Sequence, residues 1–188
     1  MKTYTIIGGV DGTGKSSLTG VLIAKDNMLG TVIDTDKITK QNGGDKIKGG
    51  KIAVRKIDEC LKKGLNFTQE TTLSGTRTLK TIKKAIDLNY NINLYYVGIS
   101  SCQESISRIA NRVSKGGHDI PSDDVARRYE KRFEDLYKIL PYCNEVYFFD
   151  NENGFIQVAE YRNGEIFILV KTPPQWLEDL QNYIENQF

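Results

Sequence analysis

Residues 9–16 read Gly-Val-Asp-Gly-Thr-Gly-Lys-Ser, and this octapeptide restricts the possible folds more than any other part of the chain. Its glycines permit backbone dihedrals closed to other residues, so successive N–H groups can converge on one concavity that suits a phosphate. Lys15 adds a mobile positive charge for terminal phosphates, and the Ser16 hydroxyl is a donor of the kind Mg²⁺ takes. The surroundings agree. Residues 3–8 (TYTIIG) read as a short apolar strand, and Leu18, Val21, Leu22 and Lys25 follow at helical spacing. The loop is expected to join a strand to a helix N-terminus, where the helix dipole also favours anions. Gly9, Val10, Asp11, Gly12, Thr13, Gly14, Lys15, Ser16 and Ser17 are the expected nucleotide-binding residues, with ATP and Mg²⁺ as cofactors.

The rest of the chain alternates strand and helix. Residues 31–36 (TVIDTD) read as a strand ending in two aspartates, 41–50 as a flexible loop, and Ala53, Ile57, Cys60 and Leu61 as a helix face. Residues 66–72 read as a third strand, Leu79, Ile82 and Ile86 as the next helix, and 92–100 as a buried strand apolar on both faces. Ser101 and Glu104 form a capping box for a helix carrying Ile106, Ile109, Ala110 and Val113. Ser122 is expected to cap one long helix from Val125 to Leu140, followed by a fifth strand at 145–150. Asn163-Gly164 between apolar runs signals a hairpin, and Thr172, Pro173 and Gln175 open a last helix. The expected fold is α/β: a three-layer P-loop NTPase fold with a five-stranded parallel sheet, a helical lid at about 105–132, and a C-terminal β-hairpin plus helix at 152–188. With 188 residues, one domain over 1–188 is expected.

Bulk properties exclude several roles. A net charge of +2 and pI of about 8.3, with no concentrated positive stripe, argue against a nucleic-acid binder. No apolar run approaches the length of a membrane span. Cys60, Cys102 and Cys143 are odd in number and far apart, so reduced thiols and a cytoplasmic setting are expected.

A bound phosphate can go to water, to mechanical work or to a hydroxyl. The N-K-x-D guanine reader of GTPases and the L-S-G-G-Q signature of transport ATPases are both missing from the sequence. Transfer to a hydroxyl needs a base, an acceptor seat and positive charge over the phosphoryl group. Asp34 and Asp36 sit two apart at a strand end and are expected to point the same way, so either can serve as the base. Glu70, Thr71 and Thr72 offer a carboxylate and two hydroxyls at the next strand end, fit for a polyhydroxylated acceptor. Arg108 and Arg112 share a helix face, and Arg127, Arg128 and Arg132 follow beyond the 116–121 loop, as in a lid that closes on a polyphosphate. His118, the one histidine, reads as loop-structuring rather than catalytic.

Taken together, GVDGTGKSS, IDTD, ETTLSG (70–75), SISRIANRV (105–113), GGHDIP (116–121), RRY (127–129) and FFDN (148–151) resemble the zeta-toxin-like P-loop kinases, in particular their small bacterial "predicted ATPase" branch. The resemblance covers about residues 3–151. It implies an ATP-dependent kinase whose acceptor is a nucleotide sugar such as UDP-N-acetylglucosamine, phosphorylated on the 3′-hydroxyl of the sugar. In that pattern Lys15 binds ATP phosphates, Asp36 matches the base better than Asp34, Glu70 and Thr72 match sugar-nucleotide contacts, and Arg112 and Arg128 match the lid arginines, with Arg127 adjacent. Where an arginine often follows the toxins' Glu-x-Thr-Leu, this chain has Ser74, with Arg77 three residues on. Three rivals remain: a P-loop ATPase that switches a protein partner, a toxin held by a helical antitoxin, and a nucleic-acid end kinase, which the mild net charge disfavours.

Overall fold

The computed structural model describes residues 1–25, 29–117, 119–152 and 154–187; His118 lies outside them. Its strands are β1 (Lys2–Gly8), β2 (Thr31–Asp34), β3 (Phe67–Thr71), β4 (Tyr90–Val97), β5 (Glu145–Asp150), β6 (Ile156–Arg162) and β7 (Glu165–Ile168). Its helices are α1 (Lys15–Lys25), α2 (Thr35–Gln41), α3 (Lys46–Lys63), α4 (Arg77–Asp87), α5 (Cys102–Ser114), α6 (Ser122–Glu130), α7 (Arg132–Tyr137) and α8 (Gln175–Glu185). One sheet holds all seven strands in the order β2-β3-β1-β4-β5-β6-β7. The first five are parallel, as expected. The hairpin does not stand apart from them: β6 pairs antiparallel with β5 and widens the sheet. Asn163 and Gly164 both take positive φ, 53° and 91°, the two-residue turn whose twist matches its strands.

Alternation along the strands sends two residue sets to opposite faces. Tyr4, Ile6, Phe67, Ile92, Leu94, Tyr96 and Phe148 pack under α3, α4, α7 and α8 through Ala53, Ile57, Ile82, Leu136, Trp176 and Leu180. The opposite face is thinner, with Ile7 and Val97 against Leu18 of α1. Among the described residues no helix is long and apolar enough to cross a membrane.

Four local expectations fail for identifiable reasons. The second strand stops at Asp34, whose carboxylate accepts from the N–H groups of Asp36 and Lys37 and so starts α2. Asp34 and Asp36 therefore do not share a strand face: one caps a helix and the other lies in its first turn. The 41–50 loop is shorter than its glycines suggest, because Asp45 caps α3 at Lys46, and Gly49 lies so close to Thr39 that a Cβ there would meet its Oγ1 at 2.1 Å. The long helix expected after Ser122 breaks into α6, α7 and a 3₁₀ turn at Leu140–Tyr142, and Pro121 occupies the cap position. Likewise α8 starts after Pro174, without a side-chain cap from Thr172.

Trp176 fixes the last helix to the sheet. Its ring packs near Tyr96 and Phe148, its Nε1–H donates to Asp150 Oδ1 at 2.8 Å, and it lies against Gly98, where a Cβ would fall 2.1 Å from the indole. Gly98→Ala should therefore overpack this junction and destabilise the fold by about 1–3 kcal/mol. Urea titration checks this as a lowered midpoint with an unchanged m-value.

Candidate active site

The Gly9–Ser16 stretch follows β1 and leads into α1, as the spacing predicts. Gly9, Gly12 and Gly14 all take positive φ, at 142°, 77° and 94°. A Cβ on Gly9 would lie 2.4 Å from the Val97 carbonyl oxygen, so the loop runs directly against the end of β4. Other elements hold its outer side. Ser105 Oγ of α5 donates to the Asp11 carbonyl at 2.6 Å, and Asn151 Nδ2, just after β5, donates to the Thr13 carbonyl at 3.0 Å. These bonds satisfy carbonyls on the outside of the turn.

Lys15 Nζ donates to the carbonyls of Gly9 and Val10, each at 2.9 Å. Loss of hydration lowers its pKa, against the opposing pull of the Asp11, Glu70 and Asp36 carboxylates. The Ser16 hydroxyl donates to Glu70 Oε2 at 2.6 Å, and the Thr19 hydroxyl to Glu70 Oε1 at 2.7 Å. Glu70 is positioned by register, because β3 lies beside β1 with Ile7 opposite Glu70. Burial raises its pKa, partly countered by those two hydrogen bonds. The sequence offered Glu70 only as an acceptor contact. Its seat between Ser16 and Thr19 requires knowing that β1 and β3 are neighbours.

A cleft of about 850 Å³ opens over the loop. Its walls bring together Asp11, Lys15, Ser16, Asp34, Asp36, Glu70, Thr71, Thr72, Arg112 and Arg128. A recess of about 370 Å³ adjoins it between α2 and the lid, and both Asp36 and Arg128 line the two spaces. Beyond Glu70 the chain turns sharply at Leu73, a buried residue with φ 64°, in the left-handed region that a branched side chain rarely adopts. Thr71 Oγ1 accepts from the Leu73 N–H, and the Thr72 hydroxyl donates to Ser74 Oγ. Nothing in the sequence marks Leu73 as strained.

The lid arginines separate. Arg128 Nη1 donates to Asp11 Oδ2 at 2.8 Å, and that carboxylate is only 5% exposed. Arg127 pairs with Asp124 on the exposed side of α6. Arg108 pairs with Glu104 and donates to the Asn151 carbonyl at 3.1 Å, so it braces the same segment that braces the loop. Arg132 stacks on Tyr129 and Phe133 away from the cleft. Asp11, Asn151 and Ser105 were not assigned these holding roles by sequence reasoning. The contacts span 117, 138 and 94 residues, respectively, beyond the reach of local pattern.

An uncharacterized protein of Haemophilus influenzae is 32% identical over 126 residues, spanning 64% of this chain and 88% of that one. The two belong to one family. No family model matches the chain. Among solved structures, one from the PezAT chromosomal toxin–antitoxin system of Streptococcus pneumoniae aligns over all of this chain and 86% of that chain, with TM-score 0.64 and 14% identity. The AvrRxo1-ORF1:-ORF2 complex solved with ATP aligns over all of this chain and 65% of that chain, with TM-score 0.68 and 15% identity. The chain thus shares a P-loop NTPase fold with these two structures.

The Glu70 contacts make a stability prediction. Thr19→Val keeps the side-chain shape but removes one of the bonds that favour the charged carboxylate. It should cost about 1–3 kcal/mol at neutral pH. The sign follows from the raised pKa: losing a bond that lowers it raises the folded-state value further, so the loss is largest where Glu70 is ionised. It should shrink as pH falls through the raised folded-state range of Glu70, which lies above the ordinary 4.5, and be largely gone by 4.5. Urea titrations at several pH values measure the difference.

Proposed function

We propose that the protein is an ATP-dependent kinase that passes the γ-phosphoryl group to a hydroxyl of a small acceptor, with a nucleotide sugar such as UDP-N-acetylglucosamine the leading candidate. The observation that carries this reading is the placement of Asp36. Its carboxylate, in the first turn of α2, lines the same cleft as Lys15, Arg112 and Arg128, at the carboxyl ends of the strands. Hydrolysis or switching alone leaves the polar wall of Thr71, Thr72 and Ser74 without an occupant.

The roles follow from chemistry. Backbone N–H groups of the Gly9–Ser16 loop hold the phosphates, and Lys15 and Arg128 place positive charge on the oxygens that gain charge in the transition state. Asp36 accepts the proton of the acceptor hydroxyl, while Thr72 and its neighbours orient the rest of the acceptor. Asp34 is committed to capping α2, which favours Asp36 as the base. For the metal this fold implies, Ser16 Oγ backed by Glu70 supplies oxygen donors of the type Mg²⁺ prefers. Among the described residues no three His, Cys, Asp or Glu side chains gather into a metal site; Ser16, with Glu70 behind it, would hold such an ion together with phosphate oxygens and water. Its contribution would be neutralising phosphate charge.

A second reading has support in the comparisons. Both solved neighbours come from paired systems, a toxin–antitoxin pair and an ORF1:ORF2 complex. A helical antitoxin that covers the cleft would then control the same chemistry.

The deciding experiment is a ³¹P NMR acceptor screen with ATP, Mg²⁺ and a panel of nucleotide sugars, with Lys15→Ala as the blank. Wild type should yield a new sugar-phosphate signal. Asp36→Asn should bind ATP normally and transfer at least ~10²-fold more slowly. Free phosphate alone from wild type, with every acceptor, would sink the kinase reading in favour of a partner-controlled ATPase.

The two neighbouring arginines provide a further contrast. Arg128→Ala should slow turnover by at least ~10²-fold, whereas Arg127→Ala, which loses only an exposed ion pair, should change it little. Steady-state rates together with melting temperatures separate an effect on chemistry from one on folding.

A further inference from the structure

The sheet ends at β7 on an open edge. Arg162 and Glu165 flank the two-residue turn as partners, and the Leu169 N–H donates to the Val158 carbonyl at 2.9 Å. Bonded and non-bonded pairs alternate along an antiparallel ladder, so Glu165, Phe167 and Leu169 direct their backbone groups at β6. The N–H and C=O of Ile166 and Ile168 therefore point away from the sheet. The side chains here are also exposed: Phe167 by 47%, Ile168 by 40% and Leu169 by 53%. Edge strands usually carry proline, charge or a covering segment against unwanted pairing, and residues 166–170 contain neither proline nor charge.

We propose that this edge docks on the same edge of a second copy of the chain, with the two β7 strands antiparallel about a two-fold axis at Ile168. The sequence Glu165-Ile-Phe-Ile-Leu-Val-Lys171 is self-complementary about that point. Ile168 faces Ile168 of the copy, Phe167 faces Leu169, Ile166 faces Val170, and Glu165 faces Lys171. Apolar groups meet apolar groups and each charge meets its opposite. The parity is also right, since the outward-facing backbone of Ile168 lies opposite itself and forms a reciprocal pair of hydrogen bonds. A centre at Phe167 would instead set Glu165 against Leu169, and a centre at Ile166 would set it against Phe167. Isologous pairing of this kind is the commonest route to a closed dimer. The chain bends from Val170 onward, so the new ladder is short and Lys171 reaches Glu165 through its flexible stem. The dimer should accordingly dissociate on dilution.

Sedimentation velocity of the full chain from low to high micromolar concentration tests this. Wild type should shift from monomer to dimer as concentration rises. Ile168→Pro removes an amide that points away from β6, which an edge strand tolerates, and should remain monomeric with an unchanged melting temperature. Glu165→Lys should weaken association about tenfold, and adding Lys171→Glu should restore it. If the proline variant fails to fold, the charge exchange decides alone. A wild type that stays monomeric at every concentration, an Ile168→Pro protein that folds and still dimerises, or a charge exchange without rescue overturns the proposal.

Discussion

The end of β4 leaves no room for a side chain on Gly9, and that close approach sets the geometry of the cleft. A Cβ there would meet the Val97 carbonyl oxygen at 2.4 Å, so the loop lies directly against the end of β4. Its outer carbonyls are then met by Ser105 from α5 and Asn151 from the segment after β5, while Ser16 and Thr19 at the start of α1 are tied to Glu70 on β3. A glycine-rich backbone would otherwise sample many conformations, and ordering it is costly in entropy. These bonds supply the compensation, so the loop is held in one conformation by its neighbours. If the loop holds phosphate as proposed, such prior arrangement would let electrostatic stabilisation act without reorganisation.

The same contacts couple the loop to the lid. Ser105 belongs to the helix that also presents Arg108 and Arg112, and Arg108 grips the segment carrying Asn151. A displacement of α5 therefore disturbs the loop through two separate paths. Helices α5 and α6 are both joined to the loop at Asp11, through Ser105 and Arg128.

Local pattern carried some of this and missed the rest for a consistent reason. The strand–loop–helix at Gly9–Ser16 and the Asn163-Gly164 hairpin were legible because each depends on residues near one another in sequence, and the five parallel strands because strand and helix alternate along the chain. The aspartate pair was misread: a strand of period two and a helix N-terminus both accept Asp-x-Asp, and only the bonds from Asp36 and Lys37 to Asp34 decide between them. The helix expected over 125–140 kept its apolar face but lost its continuity, since Phe133, Leu136 and Leu140 can reach the core from separate short turns. Glu70 had a position but not a partner, because strand order is not written in any local stretch. Arg127 and Arg128 were inseparable by spacing, whereas burial of Asp11 beside only one of them separates them at once.

The Asp11–Arg128 pair also bears on how a polyphosphate would be received. A carboxylate buried in the wall of the Gly9–Ser16 loop is unfavourable by itself. Arg128 offsets that charge, which leaves the loop near neutral on this side. Stripping Arg128 from Asp11 to serve a phosphate would strand a buried carboxylate, so a simple exchange of partners is energetically poor. The guanidinium avoids the exchange, because its planar fork carries five donors and the bond to Asp11 uses only Nη1. Held from behind by Asp11, the remaining donors can face the cleft in a fixed orientation. A lysine at this position would have one compact charge and no second edge to offer. Under the proposed function the arginine would thus serve twice: one donor is held by the carboxylate that anchors it, and its free edge is left to meet phosphate oxygens.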